Sequence, residues 1–316
     1  LHAIDADTGL TEWEFEPTEG GFSYITSTPT VIDGVVYFGS KNGHVYAVDA
    51  ESGEASWSFE TEDEVSGSPA VVDGTVYVGS QDSYVYAIDA EHGVKEWTFE
   101  TQGYNGMVAS PAVADGTVYI GADDGRLYAL DTGTGQKQWE FECSAGDKTP
   151  VVVDDTVYLT GHQELHAVDA VSGSEKWQVE FETVLEISPA YAAGTLYLPN
   201  YDTLVGLDAD TGTQQWAFET GNEIKSVPAI TYGTIFMGSN DETLYALTED
   251  GDPVDVPEDV TEESDDADED ADVSEDPGWA TDRGNLARTG NISGSGPTEA
   301  PDSRWEYEVD DRKQGI

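Results

Sequence analysis

Residues 68–80 read SPAVVDGTVYVGS, and this stretch decides the fold because close copies of it recur along the chain. Two runs of alternating β-branched and aromatic residues flank Asp73-Gly74, a two-residue hairpin signal whose residues accept positive φ angles at little cost. The unit continues through residues 84–90 (YVYAIDA) to Trp97. The pattern predicts short antiparallel strands joined by tight turns.

The unit repeats with a period close to 40 residues. Tryptophans recur at spacings of 44, 40, 42, 38 and 39, and prolines at spacings of 40, 42, 39, 39 and 39. Three turn signals per unit predict four strands, and no segment shows sustained helical periodicity. Units of this kind are typical of the four-stranded blades of a β-propeller. The recurring residues are Trp13, Trp57, Trp97, Trp139, Trp177 and Trp216, and Pro29, Pro69, Pro111, Pro150, Pro189 and Pro228.

The third turn of every unit contains a glycine with an aspartate four positions before it. A position that is glycine in each copy predicts a backbone geometry that other residues do not tolerate. We expect the aspartate to accept hydrogen bonds from backbone amides of the turn. The pairs are Asp5 and Gly9, Asp49 and Gly53, Asp89 and Gly93, Asp131 and Gly135, Asp169 and Gly173, and Asp208 and Gly212.

We call the four strands of a blade A to D, from the axis to the rim. Five blades are complete in the sequence, each starting at one of the first five prolines of the series. Residues 1–15 supply only strands C and D of an earlier blade, and residues 228–248 supply strands A, B and C of a last one. The sequence therefore predicts an all-β propeller with about seven four-stranded antiparallel blades represented.

The repeat resembles the PQQ-like (pyrroloquinoline-quinone-type) propeller repeat over residues 1–248. The resemblance rests on SPAVVDGTVYVG followed by the spacing YAxDAxxGxxxW. In that family the tryptophan docks against the neighbouring blade, which implies a structural role for the six tryptophans and for Trp305 in the last segment.

The end of the sequence departs from the repeat. Residues 249–277 hold 16 acidic residues and no base, which predicts a disordered acidic linker. Residues 278–290 (GWATDRGNLARTG) resemble the segment that opens such propellers, so residues 278–316 are expected to begin a second propeller. Alternatively, the D-like strand 305–309 pairs with the open edge of strand 244–248 and closes the last blade.

The net charge of -53 excludes several classes of function. A nucleic-acid binder needs a basic surface, and residues 1–248 carry 42 acidic residues and only seven bases. Anionic membranes would repel the same surface, and no apolar run is long enough to span a membrane. Carboxylates scattered over every repeat favour a protein of a salt-accumulating, haloarchaeon-like halophile. The rival interpretation is a cation-binding surface.

The sequence lacks the signature of the quinoprotein dehydrogenases that carry this repeat. Those enzymes stack the quinone against adjacent cysteines and hold a calcium ion, whereas this chain has the single Cys143. We therefore expect no catalytic residues, no metal site, and neither PQQ nor calcium. His162 and His166 are interpreted as structural, the turn at residues 123–125 as an ordinary turn, and Asn291 as a glycosylation acceptor only if the protein is exported.

Loop lengths point to a candidate partner-binding face. The loops from strand D to the next strand A are longest at residues 17–26 and 100–109. Such loops gather on one face of a propeller, around its central channel. Exposed aromatic residues and scarce cations there could bind a partner, and ordinary loop packing is the alternative. The candidate residues are Phe22, Tyr24, Tyr104, Asn105, Met107, Lys148 and Lys225.

These observations predict a non-catalytic binding or scaffold propeller outside the cytoplasm, with a protein or cell-surface partner. The chain resembles the BamB-like members of the family, which lack enzyme signatures. The alternatives are a quinoprotein dehydrogenase and a sensor domain of a larger kinase or surface protein.

The charge of the folded part leads to a first prediction. The free energy of unfolding should rise between dilute buffer and molar KCl, because the Debye length falls to ~3 Å at 1 M and screens the repulsion between carboxylates. Urea unfolding followed by tryptophan fluorescence at several KCl concentrations measures this rise. A midpoint that does not shift with salt contradicts the halophile interpretation.

Overall fold

The computed structural model describes residues 1–17, 24–103, 109–144, 148–231, 233–248 and 302–308. Every regular element within these ranges is a β-strand, so they contain no helix that could cross a membrane. The strands form one two-stranded sheet and six four-stranded antiparallel sheets. This confirms the predicted all-β architecture of propeller blades.

The strands are three to seven residues long and are numbered in chain order. The first fourteen are β1 (His2–Ile4), β2 (Thr11–Glu14), β3 (Thr30–Ile32), β4 (Val35–Gly39), β5 (His44–Asp49), β6 (Ala55–Glu60), β7 (Ala70–Val72), β8 (Thr75–Gly79), β9 (Tyr84–Asp89), β10 (Lys95–Glu100), β11 (Ala112–Ala114), β12 (Thr117–Ala122), β13 (Arg126–Asp131) and β14 (Lys137–Glu142). The others are β15 (Val151–Val153), β16 (Thr156–Thr160), β17 (Glu164–Asp169), β18 (Glu175–Glu180), β19 (Ala190–Ala192), β20 (Thr195–Asn200), β21 (Thr203–Asp208), β22 (Gln214–Glu219), β23 (Ala229–Thr231), β24 (Thr234–Gly238), β25 (Thr243–Thr248) and β26 (Asp302–Glu308).

Each four-stranded sheet pairs its strands in chain order, so it is one blade with strands A, B, C and D. Blade 1 is β3 to β6, and the following blades continue in steps of four to blade 6, β23 to β26. Strands β1 and β2 form the predicted half-blade of strands C and D. The A–B turns are tight because both central residues take positive φ, as at Asp73 (49°) and Gly74 (79°).

Strand β26 closes blade 6 in the register of the other D strands. Trp305 lies opposite Ala246, as Trp57 lies opposite Ala47 in blade 1, and a bulge follows the alanine in both pairs. The sequence placed this strand at residues 305–309, and the structure starts it at Asp302 and ends it at Glu308. The earlier start follows from the bulge, because the residues before Trp305 continue the ladder to Thr248.

Blades are joined by an indole that docks on the next blade. The Nε1–H of Trp57 donates to the carbonyl oxygen of Ala90 at 2.9 Å. A Cβ on Gly93 would lie 2.7 Å from Cδ2 of the same ring, and Gly93 has a φ of +67°. Both the missing side chain and the left-handed backbone are therefore required there. The same bond joins Trp13 to Ala50, Trp97 to Thr132, Trp139 to Ala170 and Trp177 to Ala209, at 2.7 to 3.1 Å.

Trp216 docks differently. Its blade has Gly206 where the other complete blades have alanine, and a Cβ at Gly206 would overlap the indole of Trp216. The ring occupies the space that the alanine methyl fills elsewhere. Its Nε1 is buried without a hydrogen-bond partner among the described residues. The equivalent acceptor would be the carbonyl of residue 249, which lies outside those residues.

The aspartates of the C–D turns accept the predicted backbone bonds. In blade 1, Oδ1 of Asp49 accepts the amide of Ser52 at 2.7 Å and the Ser52 hydroxyl at 2.8 Å. Bonds from Ser52 hold the pKa of Asp49 below its usual value. Asp5, Asp89, Asp131, Asp169 and Asp208 accept the equivalent amide bond in their turns, which confirms this prediction.

Hydroxyl groups before the prolines join neighbouring blades near the axis. The Thr28 amide donates to Oγ of Ser68 at 2.7 Å, and the Ser68 amide donates to Oγ of Ser110 at 2.9 Å. The Thr149 amide donates to Oγ of Ser188 at 3.1 Å. The recurring Ser/Thr-Pro pair is therefore a contact between blades as well as the entry to strand A.

The indole contact leads to a second prediction, with a matched control in the same blade. Gly93→Ala should destabilise the protein by about 1–3 kcal/mol more than Gly74→Ala, because overpacking a fitted contact costs that much. Both positions have φ between 67° and 79°, but only a Cβ at residue 93 meets the Trp57 ring. Urea unfolding in molar KCl measures the difference. Equal destabilisation by the two substitutions would show that the ring adapts freely.

Candidate partner-binding face

The D–A loops and the B–C turns lie on the same face of the propeller, because the four strands of a blade alternate in direction. The Lys41 amide in a B–C turn donates to the carbonyl oxygen of Tyr24 in a D–A loop at 2.9 Å. The Gln81 amide donates to the carbonyl oxygen of Glu64 at 2.8 Å in the next blade. We call this side the loop face and the opposite side, with the A–B and C–D turns, the turn face.

A carboxylate in the B–C turn holds the neighbouring D–A loop in place. In blade 2, Oδ2 of Asp82 accepts the Tyr86 hydroxyl at 2.6 Å and the amide of Glu62, in the loop that enters the blade, at 2.9 Å. Oδ1 of Asp82 accepts the Tyr84 amide at 2.9 Å. One side chain thus joins a turn, a strand and a loop.

The arrangement recurs in two other blades. Asp124 accepts the Tyr128 hydroxyl at 2.5 Å, and Asp241 accepts the Tyr245 hydroxyl at 2.7 Å. The amides of Gln102 and Gly221 donate to the same two carboxylates. Burial, then the bond to Asp124, raises the pKa of Tyr128 to about 12, so the phenol remains a donor at physiological pH.

Of the predicted face residues, Tyr24, Lys148 and Lys225 lie within the described part of the chain. The Tyr24 side chain is 65% exposed in the loop that enters blade 1. Phe22, Tyr104, Asn105 and Met107 lie outside the described residues.

The two predicted lysines lie near one glutamate from another loop. Nζ of Lys225 is 2.7 Å from Glu186 and 2.7 Å from Glu223. The bond from Lys225, and more weakly the charge of Lys148, lower the pKa of Glu186. The structure thus groups Lys148, Glu186 and Lys225 in the loops that enter blades 4, 5 and 6. Tyr24, in the loop that enters blade 1, belongs to another part of the face.

Tyr201 is a face residue that the sequence did not indicate. It lies in the B–C turn of blade 5 at a φ of 60°, one position before Asp202, which matches Gly43 and Ser83 of other blades, and it is 53% exposed. Its carbonyl oxygen accepts the Ile224 amide at 2.7 Å. The available signal was an aromatic residue at a turn position that favours glycine. Exposed Val184 lies in the loop that enters the same blade.

Two clefts open beside blade 3 on the loop face. One of about 780 Å³ is lined by Gln102, Asp124 and Arg126, among other residues, and Arg126 is bound by Glu142 at 3.2 Å. The other, of about 360 Å³, contains Cys143 and His166. Nδ1 of buried His166 is 2.9 Å from Oε1 of Glu175, which gives this histidine a structural partner. The described residues contain no cluster of three metal-ligating side chains.

The sequence profile of the family described as "Outer membrane protein assembly factor BamB" matches residues 1–166 and 161–265. The chain belongs to this family. Its sheets are also similar to the crystal structure of BamB from Moraxella catarrhalis, with a TM-score of 0.67 and 24% identity over 77% of this chain and 78% of that chain.

A second similar structure is the computationally designed Ika8 protein, with a TM-score of 0.62 and 19% identity over 72% of each chain. At 24% and 19% sequence identity, the two similarities show a shared fold only. The comparison with curated proteins returned no match. Family membership therefore rests on the profile, and the loop face remains to be interpreted from its own residues.

The turn carboxylate leads to a third prediction. Asp82→Ala should destabilise the protein by about 1–3 kcal/mol, because it leaves a buried phenol and two backbone amides without their acceptor. Hydrogen exchange of the Glu62 amide should also become faster.

Asp82→Asn is the matched control, because Asn42 occupies the same position in blade 1. There, Nδ2 of Asn42 is 2.7 Å from the Tyr46 hydroxyl oxygen, and Oδ1 accepts the His44 amide. We expect a smaller loss with this substitution. Unchanged stability and unchanged exchange of the Glu62 amide in the alanine variant would mean that the carboxyl group does not organise the loop.

Proposed function

We propose that the protein is a non-catalytic scaffold that binds a protein partner through its loop face. The observation that carries the proposal is the exposure of Tyr24 and Tyr201 on a face whose loops are held by hydrogen bonds to neighbouring blades. Aromatic side chains on a rigid backbone lose little conformational entropy on binding, and they are enriched where protein interfaces gain most of their energy.

The charge of the loop face suits a partner surface that is largely apolar or neutral. Lys41 pairs with Glu64 at 3.5 Å, and Lys225 pairs with two glutamates, so these cations are balanced within the face. Exposed ion pairs at a rim contribute little affinity and mainly set orientation. The apolar side chains, including Val184, would then supply the binding energy.

We also propose that the protein acts without a redox cofactor. The sequence offers one cysteine, Cys143, which is buried, whereas the quinoproteins that share the repeat use an adjacent pair. Neither PQQ nor calcium is needed for the proposed role. Dye reduction by the intact protein after incubation with quinone and calcium would contradict this part of the proposal.

The family description, an assembly factor of the outer membrane, supports a position outside the cytoplasm. We therefore propose an extracytoplasmic or cell-surface scaffold adapted to high salt. The acidic surface supports the adaptation, because abundant carboxylates keep a protein soluble and their mutual repulsion is screened in concentrated salt.

The proposed interface leads to a fourth prediction. Combined Tyr24→Ser and Tyr201→Ser should lower partner capture by the intact chain at least tenfold, because a hot-spot aromatic contributes at least about 2 kcal/mol. The measurement is quantitative affinity capture in molar KCl from cells that make the protein, with urea unfolding as a check on stability.

Val171→Ser is the matched control. Val171 is 76% exposed in a C–D turn of the turn face, so its substitution removes an exposed apolar side chain from the opposite side. Capture should remain unchanged in this variant. If the tyrosine variant keeps its partner, or if both variants lose it, the loop face is not the interface.

A further inference from the structure

The turn face carries a cleft that the proposed scaffold role does not use. It has a volume of about 570 Å³ and lies where the A–B turns of blades 2, 3 and 4 meet near the axis. Its floor is apolar and its rim is acidic. The floor is formed by Val72, Tyr77, Val113, Ala114 and Val152, and the rim by Asp73, Asp115 and Asp154.

The rim carboxylates are exposed and form no ion pairs with the described residues. Asp73, Asp115 and Asp154 hold the left-handed position of their turns, with φ of 49°, 47° and 47°. Among the described residues none of them forms an ion pair; Lys176 of the turn face pairs with Asp169 at 3.8 Å and donates to the carbonyl oxygen of Asp155, next to Asp154, at 2.8 Å. Three unpaired carboxylates around an apolar floor attract a cationic group that also carries apolar surface.

The topology brings one segment of the chain to this face. Strand β25 runs from the loop face to the turn face and ends at Thr248, and β26 starts opposite it at Asp302. Both ends of the 53-residue connection 249–301 therefore leave the propeller on the turn face.

The connection is long enough to reach the cleft from the rim of blade 6. Arg288 precedes Asp302 by 14 residues, which span up to about 46 Å when extended. Strands A and D of a blade are only about 15 Å apart, because neighbouring strands lie ~4.8 Å apart. The same reach allows the segment to cross the axis.

Only one part of the connection has the charge and the apolar side chains that suit the cleft. Residues 249–277 carry 16 acidic residues and no base, so an acidic rim repels them. Residues 279–289 (WATDRGNLART) carry Arg283 and Arg288 with a single acid, and Trp279 and Leu286 supply apolar surface. Arginine matches carboxylates well because its planar guanidinium donates several hydrogen bonds.

We propose that residues 279–289 bind in the turn-face cleft, with the two arginines at the rim aspartates and the apolar side chains on the valine floor. The contact ties the connection back onto blades 2, 3 and 4 and leaves the loop face open for a partner. Its occupant is a segment of the same chain.

Limited trypsin digestion of the full chain tests the proposal. It is carried out at the lowest KCl concentration that keeps the chain folded, and the rate at each bond is divided by its rate in the urea-unfolded chain. Cleavage after Arg283 and Arg288 should be at least tenfold slower than after Arg312, which follows β26 in the sequence. Equal normalised rates at the three bonds overturn the proposal.

Substitutions of the rim aspartates test whether the cleft is what protects residues 279–289 from trypsin. The triple change Asp73→Asn, Asp115→Asn and Asp154→Asn should raise cleavage after Arg283 and Arg288 to the rate after Arg312, since asparagine keeps the left-handed turns. Asp33→Asn is the matched control, because Asp33 has the same turn position in blade 1 and lies outside the cleft. Protection that survives the triple change overturns the proposal.

A second variant covers the case in which the triple change disturbs folding. Combined Arg283→Gln and Arg288→Gln should speed chymotryptic cleavage after Trp279 without altering the urea midpoint. An unchanged rate after Trp279 would argue against arginine-dependent docking. Protection that appears only as the protein concentration rises means that a second copy fills the cleft, which contradicts the proposed occupant.

Discussion

The propeller depends on one contact, in which the indole of a D strand rests on a glycine of the next blade and donates to a carbonyl beside it. A blade of four short strands cannot bury both of its faces alone, so its stability comes from its neighbours. The contact fixes two residues that are far apart in sequence, as with Trp57 and Gly93. The glycine needs a left-handed backbone and the space of a missing Cβ. The aspartate before it, Asp89, stabilises that turn through backbone bonds.

Hydrogen bonds also join neighbouring blades near the axis and on the loop face. Near the axis, the Ser68 hydroxyl accepts an amide from the preceding blade. On the loop face, the Asp82 carboxylate accepts an amide from the loop that enters its blade. The indole lies farther out, on strand D. Blades 1 and 2 are therefore bonded to each other at three places, and the loop between them starts from a fixed backbone.

The repeat pattern predicted the fold because the interactions that form a blade lie within one repeat unit. Hairpin turns, alternating strands and the Asp89 turn bonds all depend on residues within one unit, so the spacing of a few residue types is sufficient. The link from Asp82 to Glu62 was not predicted, because it depends on how a turn of one blade meets the loop from another. Strand β26 was expected three residues late, because the bulge that extends it depends on pairing with a segment more than 50 residues away.

The candidate site was less predictable than the fold for the same physical reason. Loop length drew attention to Tyr24 but missed Tyr201, because the B–C turn that carries Tyr201 is one residue shorter than those of blades 1, 2, 3 and 6. The cleft on the turn face could not be inferred at all, because three blades build it and each contributes only one turn and a few apolar atoms.

The acidic residues of the loop face and of the turn face differ in how they are paired with bases. On the loop face, Lys41 pairs with one glutamate and Lys225 with two. On the turn face, the rim aspartates have no such partners among the described residues, and the field there favours cations. The acidity of the two sides therefore has different consequences, because Lys41 and Lys225 pair with glutamates on the loop face, whereas the rim aspartates of the turn-face cleft form no ion pair among the described residues. A partner that prefers aromatic surface and a segment that carries arginine would each select the face that suits it, without competing for the same site.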